Sequence, residues 1–200
     1  AMYFTGVLQV ERGDLDAAIA VFDQCTRQPT HDARQLEIRE LCFLAQGRLF
    51  FELEKYGDAL DRYQEIDHDS PHFNEALYEI AWTLVKSKRY DEAQRKSELI
   101  IQLAPDSPLA PEATLLEGHL YLRLGKFKDA DRTYEQVINY WTTVSDEIDA
   151  VLGMHADPVR YFNDLLGKAE KTFDIATVLP PVAVKWASTQ QEVASALKVV

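Results

Sequence analysis

The chain has 200 residues, 46% of them hydrophobic and 27% charged, a balance that suits a globular protein of one or two domains and argues against disorder. Its 33 acidic against 21 basic residues leave a formal net charge of −12. That works against binding nucleic acid or an anionic membrane, because a phosphate surface demands a basic face. Two cysteines, Cys25 and Cys42, are too few for a disulfide framework and lack the paired spacing of a zinc site. Each is expected to be a small buried apolar residue rather than a ligand, a nucleophile or half of a bridge. No apolar run reaches membrane-spanning length, no charged and apolar leader is visible, and "AMYFTGVLQVERG" reads as though it starts inside a helix.

In chain order, the first helix runs through Gly6, and "GDLDAAIAVFDQC" follows as a second helix capped by Asp14 and opened by Leu15. From Asp32 to Leu53 only Gly47 interrupts a stretch free of Gly and Pro, which predicts one extended helix. Then an aromatic, acid, alanine phrase is written three times: "YGDALDRYQEIDHDSP" from Tyr56, "YDEAQRKSELIIQLAP" from Tyr90 and "FKDADRTYEQVINYWT" from Phe127. Tyr56 to Tyr90 is 34 residues and Tyr90 to Phe127 is 37, the surplus falling in "APDSPLAP". Backwards, Leu15 lies 41 residues before Tyr56, with its surplus around "TRQPTHDARQ". Ser70-Pro71, Ser107-Pro108 and Asp157-Pro158 each set a capping side chain before a proline suited to a first helical turn, and Asp91 is placed like Asp14. The units so marked are about 2–30, 31–72, 73–107 and 108–142.

Ala59 with Tyr63, and Ala130 with Tyr134, are four apart and share one helix face, where the small residue admits a neighbouring backbone and the ring fills the groove beside it. One such helix pair cannot bury its apolar stripe alone, so the pairs must stack. The pattern resembles the tetratricopeptide repeat, a helix, turn, helix unit. Its small first-helix residue matches Gly6, Gly47, Ala81 and Gly118. The bulky residue opening its second helix matches Leu15, Tyr56, Tyr90 and Phe127. Its alanine matches Ala18, Ala59, Ala93 and Ala130, and its following aromatic matches Phe22, Tyr63 and Tyr134, with Ser97 a departure in the third unit. The closing proline matches Pro71 and Pro105, is displaced to Pro29, and gives way to Thr142 in the fourth. The resemblance covers about residues 2–142 and implies an all-α, right-handed superhelix of about four helix pairs with C-terminal capping helices.

After Tyr140 the period fails. Two shorter helices are expected at about 144–153 and 157–167, suited to covering the last repeat within a capping segment of 143–179. Pro180-Pro181 then breaks the chain before a terminal helix running to residue 200. Its narrow seam of Val182, Trp186, Val193, Leu197 and Val200 wants a partner helix: this molecule, a second copy leading to an oligomer, or another domain.

The chain offers little of the convergent polar chemistry an enzyme needs, and a non-catalytic protein with neither cofactor nor metal is expected. His68, Asp69 and His72 cluster in "IDHDSPH", but the Ser70-Pro71 turn keeps the histidines off one helical face, so a polar inter-repeat turn is the reading. Asp146, Glu147 and Asp149 lack the glycine and ligand alternation of a calcium loop and suit a solvated helix start. His119 and His155 are isolated, and no glycine-rich phosphate loop or "GxSxG" occurs.

The resemblance places the binding wall on the first helices: Tyr3, Val7 and Val10; Leu44, Arg48 and Phe51; Tyr78, Glu79, Trp82, Val85 and Lys86; Leu115, His119, Leu122 and Arg123. The groove residues expected to meet a partner are Arg48, Phe51, Tyr78, Glu79, Trp82, Lys86, His119 and Arg123, with Trp82 the first anchor. Any of them could instead pack on a neighbouring helix, or the terminal helix could fill the groove. The basic clamp by which some relatives hold a terminal carboxylate is not reproduced here. "LAPDSPLAPEATLLEGHLYLRLGKFKDADRTYEQVI" is similar to bacterial cell-envelope repeat proteins, such as outer-membrane assembly lipoproteins and periplasmic division coordinators. That similarity implies a scaffold gripping a peptide or partner helix in an envelope complex, membrane-associated through others. Two other readings stand beside it: a regulatory or targeting module of a larger enzyme or signalling protein, and a self-assembling structural protein.

Overall fold

The computed structural model describes residues 1–105, 107, 109–154 and 157. Every regular element among them is an α-helix: α1 Met2–Glu11, α2 Leu15–Thr26, α3 Ala33–Glu52, α4 Tyr56–Tyr63, α5 Phe73–Lys86, α6 Tyr90–Leu103, α7 Ala110–Arg123 and α8 Phe127–Met154. None of these is long and apolar enough to cross a membrane. The chain divides into two compact units, Ala1–Thr133 and Tyr134–Val200. In the first, each helix from α1 to α6 packs on the next, and the alternate helices α1 and α3, and α3 and α5, touch only slightly. Of the second unit, the described part is residues 134–154 of α8 together with Asp157. The expected helices at 157–167 and 180–200 lie outside the described residues.

The second helices begin where the repeated bulky residue stands, at Leu15, Tyr56, Tyr90 and Phe127. Their alanines are fully or almost fully buried: Ala18, Ala59 and Ala93 at 0% exposure and Ala130 at 1%. Gly6 and Gly47 lie buried against the rings of Phe22 and Tyr63, and a Cβ at either glycine would overlap the ring. The third pair exchanges both partners, carrying Ala81 and Ser97, each 0% exposed.

The turn inside each pair is also repeated, though its sequence is not. Gly13, Glu54, Lys88 and Gly125 occupy the same register and all have left-handed backbone, with φ of 77°, 58°, 61° and 71°. The next residue in each case donates its N–H to a carbonyl five residues back: Asp14 to Gln9, Lys55 to Phe50, Arg89 to Leu84 and Lys126 to Tyr121, at 2.8–3.0 Å. This is a Schellman cap, which satisfies the last carbonyls of the first helix and reverses the chain. Two of the four positions use a residue with a Cβ where glycine is favoured.

Cys25 and Cys42 form a disulfide, with Cα atoms 6.4 Å apart, that ties α2 to α3. The expectation of two buried apolar residues holds for their burial and fails for the bond. At the same register the later junctions carry Ile66 with Ala76 and Ile100 with Ala113, each pair buried in a shared apolar cluster. The first junction thus replaces an isoleucine and alanine contact by a covalent one. The separation of 17 residues follows no motif, because helix stacking brings the two together.

Other boundaries differ from expectation. Asp14 does cap α2, accepting from the Ala17 N–H at 3.1 Å, and Asp32 caps α3 by accepting from Gln35 at 2.7 Å. Asp91, however, lies inside the first turn of α6, whose cap residue is Arg89. Ser70 precedes α5 by three residues and pins the turn instead. Its hydroxyl accepts from the His72 N–H at 3.1 Å and donates to the buried Glu40 carboxylate of α3 at 2.8 Å. Ser107 likewise accepts from the Leu109 N–H, at 3.2 Å, two residues on. Thr142 does not end a helix, since α8 continues without a break to Met154.

Three outcomes follow from these contacts. Gly47→Ala should lower unfolding free energy by about 1–3 kcal/mol in a denaturant titration, because the ring of Tyr63 must move. Lys88→Gly should raise it by about 0.5–1 kcal/mol, relieving a left-handed residue of its Cβ. Reducing the disulfide should lower it by about 3 kcal/mol, the loop-closure value for a ring of this size.

Candidate functional site

Consecutive helices reverse direction at each tight turn, so the first helices α3, α5 and α7 run the same way. Their facing residues recur at a fixed register from the small position. Tyr78 on α5 and Leu115 on α7 are equivalent, as are Trp82 and His119, and Lys86 and Arg123. Between α5 and α7 the structure leaves a cavity of about 500 Å³ lined by Tyr78, Trp82, Val85, Leu115, His119 and Arg123, with Glu112 at the start of α7. Its floor is closed by Leu116 and Leu120, both buried, and its side by Tyr90.

Trp82 is 37% exposed and Leu115 and Leu122 44% each, so all three apolar side chains meet solvent. Tyr78 meets Trp82 edge to face, with ring centroids 6.3 Å apart at 85°. That arrangement fixes the indole against a neighbouring turn of its own helix. Burial raises the Tyr78 phenol above its ordinary value, and the Glu112 carboxylate beside it adds to the shift. The phenol is therefore a donor throughout the neutral range.

The preceding groove, between α3 and α5, is built differently. Arg48 donates from Nε to Glu79 at 2.9 Å and from Nη2 to Glu75 at 2.6 Å, bridging the two helices. Beneath it, burial raises the Tyr63 phenol, and the charge of Glu79 raises it further. At the mouth, His72 lies 3.5 Å from Glu75 and 3.7 Å from Glu37 of α3. Phe51 is half-buried and stacks edge on to Tyr56 at 5.9 Å. Leu44, expected on the wall, is 1% exposed and belongs to the core with Tyr63 and Ile80, so it offers nothing to a ligand.

Of the eight expected groove residues, Tyr78, Trp82, His119 and Arg123 surround one cavity, and Lys86 stands exposed at the end of α5. Arg48 and Glu79 are paired to each other, and Phe51 packs on its own repeat. Glu112 was not anticipated. It has the register of Glu75, one turn ahead of Leu115, and extending the wall toward the helix start would have found it. Asp67, His68 and Asp69 place one ligand atom each within 4.8 Å on an exposed turn. The imidazole already engages both acids, at 2.7 and 3.4 Å, as a polar inter-repeat turn would.

Residues 44–108 and 116–143 each match a model of the tetratricopeptide repeat. No curated protein matches the chain significantly in sequence. Among solved structures it is similar to a tetratricopeptide repeat protein from Parabacteroides merdae, with 17% identity, 99% of this chain and 70% of that one covered, and a TM-score of 0.55. It is also similar to MamA (residue 41 to the end) from Desulfovibrio magneticus RS-1, with 16% identity, 71% and 75% covered, and a TM-score of 0.55. At such identities these likenesses speak to the fold. Together with the helix order, the buried small residues and the repeated caps, the two matches identify residues 44–108 and 116–143 as tetratricopeptide repeats.

Proposed function

We propose that the chain is a non-catalytic protein-interaction scaffold that grips a peptide or partner helix in the groove between α5 and α7. The observation that carries this reading is the cavity itself: about 500 Å³, floored by leucines, with an indole and a leucine held open on its walls. Such a site suits a large apolar side chain from another polypeptide, since burying one in a dry pocket is the usual source of binding energy at an interface. Arg48, Glu75 and Glu79 satisfy one another, so the neighbouring groove contributes shape and rigidity more than affinity.

The assembly served is proposed to lie in the bacterial cell envelope, a reading supported by the connector sequence at residues 99–140. The Cys25–Cys42 disulfide favours the same location, because such bonds persist in oxidising compartments and are rare in the cytosol.

Trp82→Ala combined with Tyr78→Ala should abolish capture of the partner by the immobilised protein, while helical content and melting temperature stay close to wild type. Partner retention by the double variant would contradict the groove assignment.

A further inference from the structure

The junctions between helix pairs are fastened by different chemistry. Across the second, Arg48 of α3 holds Glu75 and Glu79 of α5. Across the third, Gln94 of α6 donates to Glu117 of α7 at 3.4 Å and to the Tyr121 hydroxyl at 3.3 Å. Among the described residues no side-chain hydrogen bond or ion pair joins α1 or α2 to α3. That first junction is an apolar cluster, with Ala18, Phe22 and Leu49, closed by the Cys25–Cys42 bond. Beside the bond, outside the α5 and α7 groove, lies a cavity of about 240 Å³ whose lining includes Cys25, Gln28, Thr30, Gln35, Ile38 and Arg39. Cys25 is 5% exposed and borders it, whereas Cys42 is 0% exposed and does not. Arg39 is the one ionisable side chain in that lining. Its Nε is buried without a hydrogen-bond partner, and among the described residues its guanidinium joins no ion pair. A guanidinium with donors to spare is suited to hold a carboxylate.

We propose that Cys25 is an exchange site for a small thiol bearing a carboxylate, which enters this cavity, pairs with Arg39 and opens the disulfide that fastens the first helix pair to the second. The incoming thiolate attacks Sγ of Cys25, the bond to Cys42 breaks, and the Cys42 sulfur keeps the electron pair and takes a proton from solvent. A second thiolate then attacks the sulfur of the bound molecule, which departs as its own disulfide, and the Cys25 sulfur keeps that pair and is protonated. Two small thiols are oxidised to one disulfide and the protein disulfide is reduced to two thiols. Burial closes the alternative attack on Cys42. With the bond open, α1 and α2 are held to α3 by apolar contacts alone, so the first pair opens separately from the rest, where polar bridges persist.

The test exposes the whole oxidised protein to mercaptopropionate, mercaptoethanol and cysteamine, which are anionic, neutral and cationic. Rates are taken relative to those of the same thiols with a small neutral disulfide, so that intrinsic reactivity cancels, and the first adduct is located by peptide mass mapping after acid quench. The adduct should form on Cys25. Mercaptopropionate should be favoured about ten-fold over cysteamine, against the repulsion expected from a chain of net charge −12. Arg39→Gln should erase that preference and Arg39→Lys should keep it. After full reduction, amide exchange in α1 and α2 should quicken at least about ten-fold while α5 and α6 stay unchanged. An adduct on Cys42, a preference for cysteamine, an anion preference that survives in Arg39→Gln, or no reaction short of denaturation would overturn the exchange site. Unchanged amide exchange in α1 and α2 would overturn the fastening role.

Discussion

The contact on which the array depends is the approach of each first helix to the second helix of its own pair at a residue without bulk. Where Gly6 meets Phe22 and Gly47 meets Tyr63, the ring occupies the space a Cβ would need, so the crossing is closer than ordinary side chains permit. The aromatic on the second helix is thereby buried inward, and the outward residues of the first helices are left to form a wall. Trp82 and Leu115 are open because the core beneath them is already filled by Ala81, Leu116 and Leu120. The groove is a by-product of how the pairs close.

Two further constraints keep the pairs in phase. The left-handed cap at Gly13, Glu54, Lys88 and Gly125 gives every pair the same reversal, whatever the residue that adopts it. At one register the junctions between pairs hold a buried isoleucine and alanine contact, Ile66 with Ala76 and Ile100 with Ala113, and at the first a disulfide takes its place. That bond ties the second helix of one pair, α2, to the first helix of the next, α3. The Arg48 bridge does comparable work by electrostatics across α3 and α5, half exposed and therefore of modest strength. Polar closure of one groove and apolar opening of the next single out a position along the array.

Most of the fold could be read from the chain because each helix pair must solve one packing problem, and repeats it with the same residues at the same spacing. Substitution is legible when it stays in register, as with Ala81 and Ser97. The caps were harder. Glu54 and Lys88 hide a turn that glycine announces at residues 13 and 125, and Ser70 resembles a helix cap while bonding a carboxylate thirty positions away in the chain. The disulfide and the Arg48 bridge were invisible for the same reason: they join residues that only stacking brings together. In the candidate site the register located Trp82, Tyr78, His119 and Arg123 but could not tell Leu44, buried against Tyr63, from Leu115, its open counterpart. Which member of a repeated position is covered depends on its neighbours in space, and those are not periodic.

The central claim is that another polypeptide lies against the α5 and α7 wall. It is tested most directly by placing the photo-reactive residue benzoylphenylalanine at position 115, in the groove, and in a second sample at position 95, exposed on α6. Irradiation in the presence of the native partner mixture should give a covalent adduct to one polypeptide from position 115 and none to it from position 95. Adducts from position 95 with none from 115 would contradict the account.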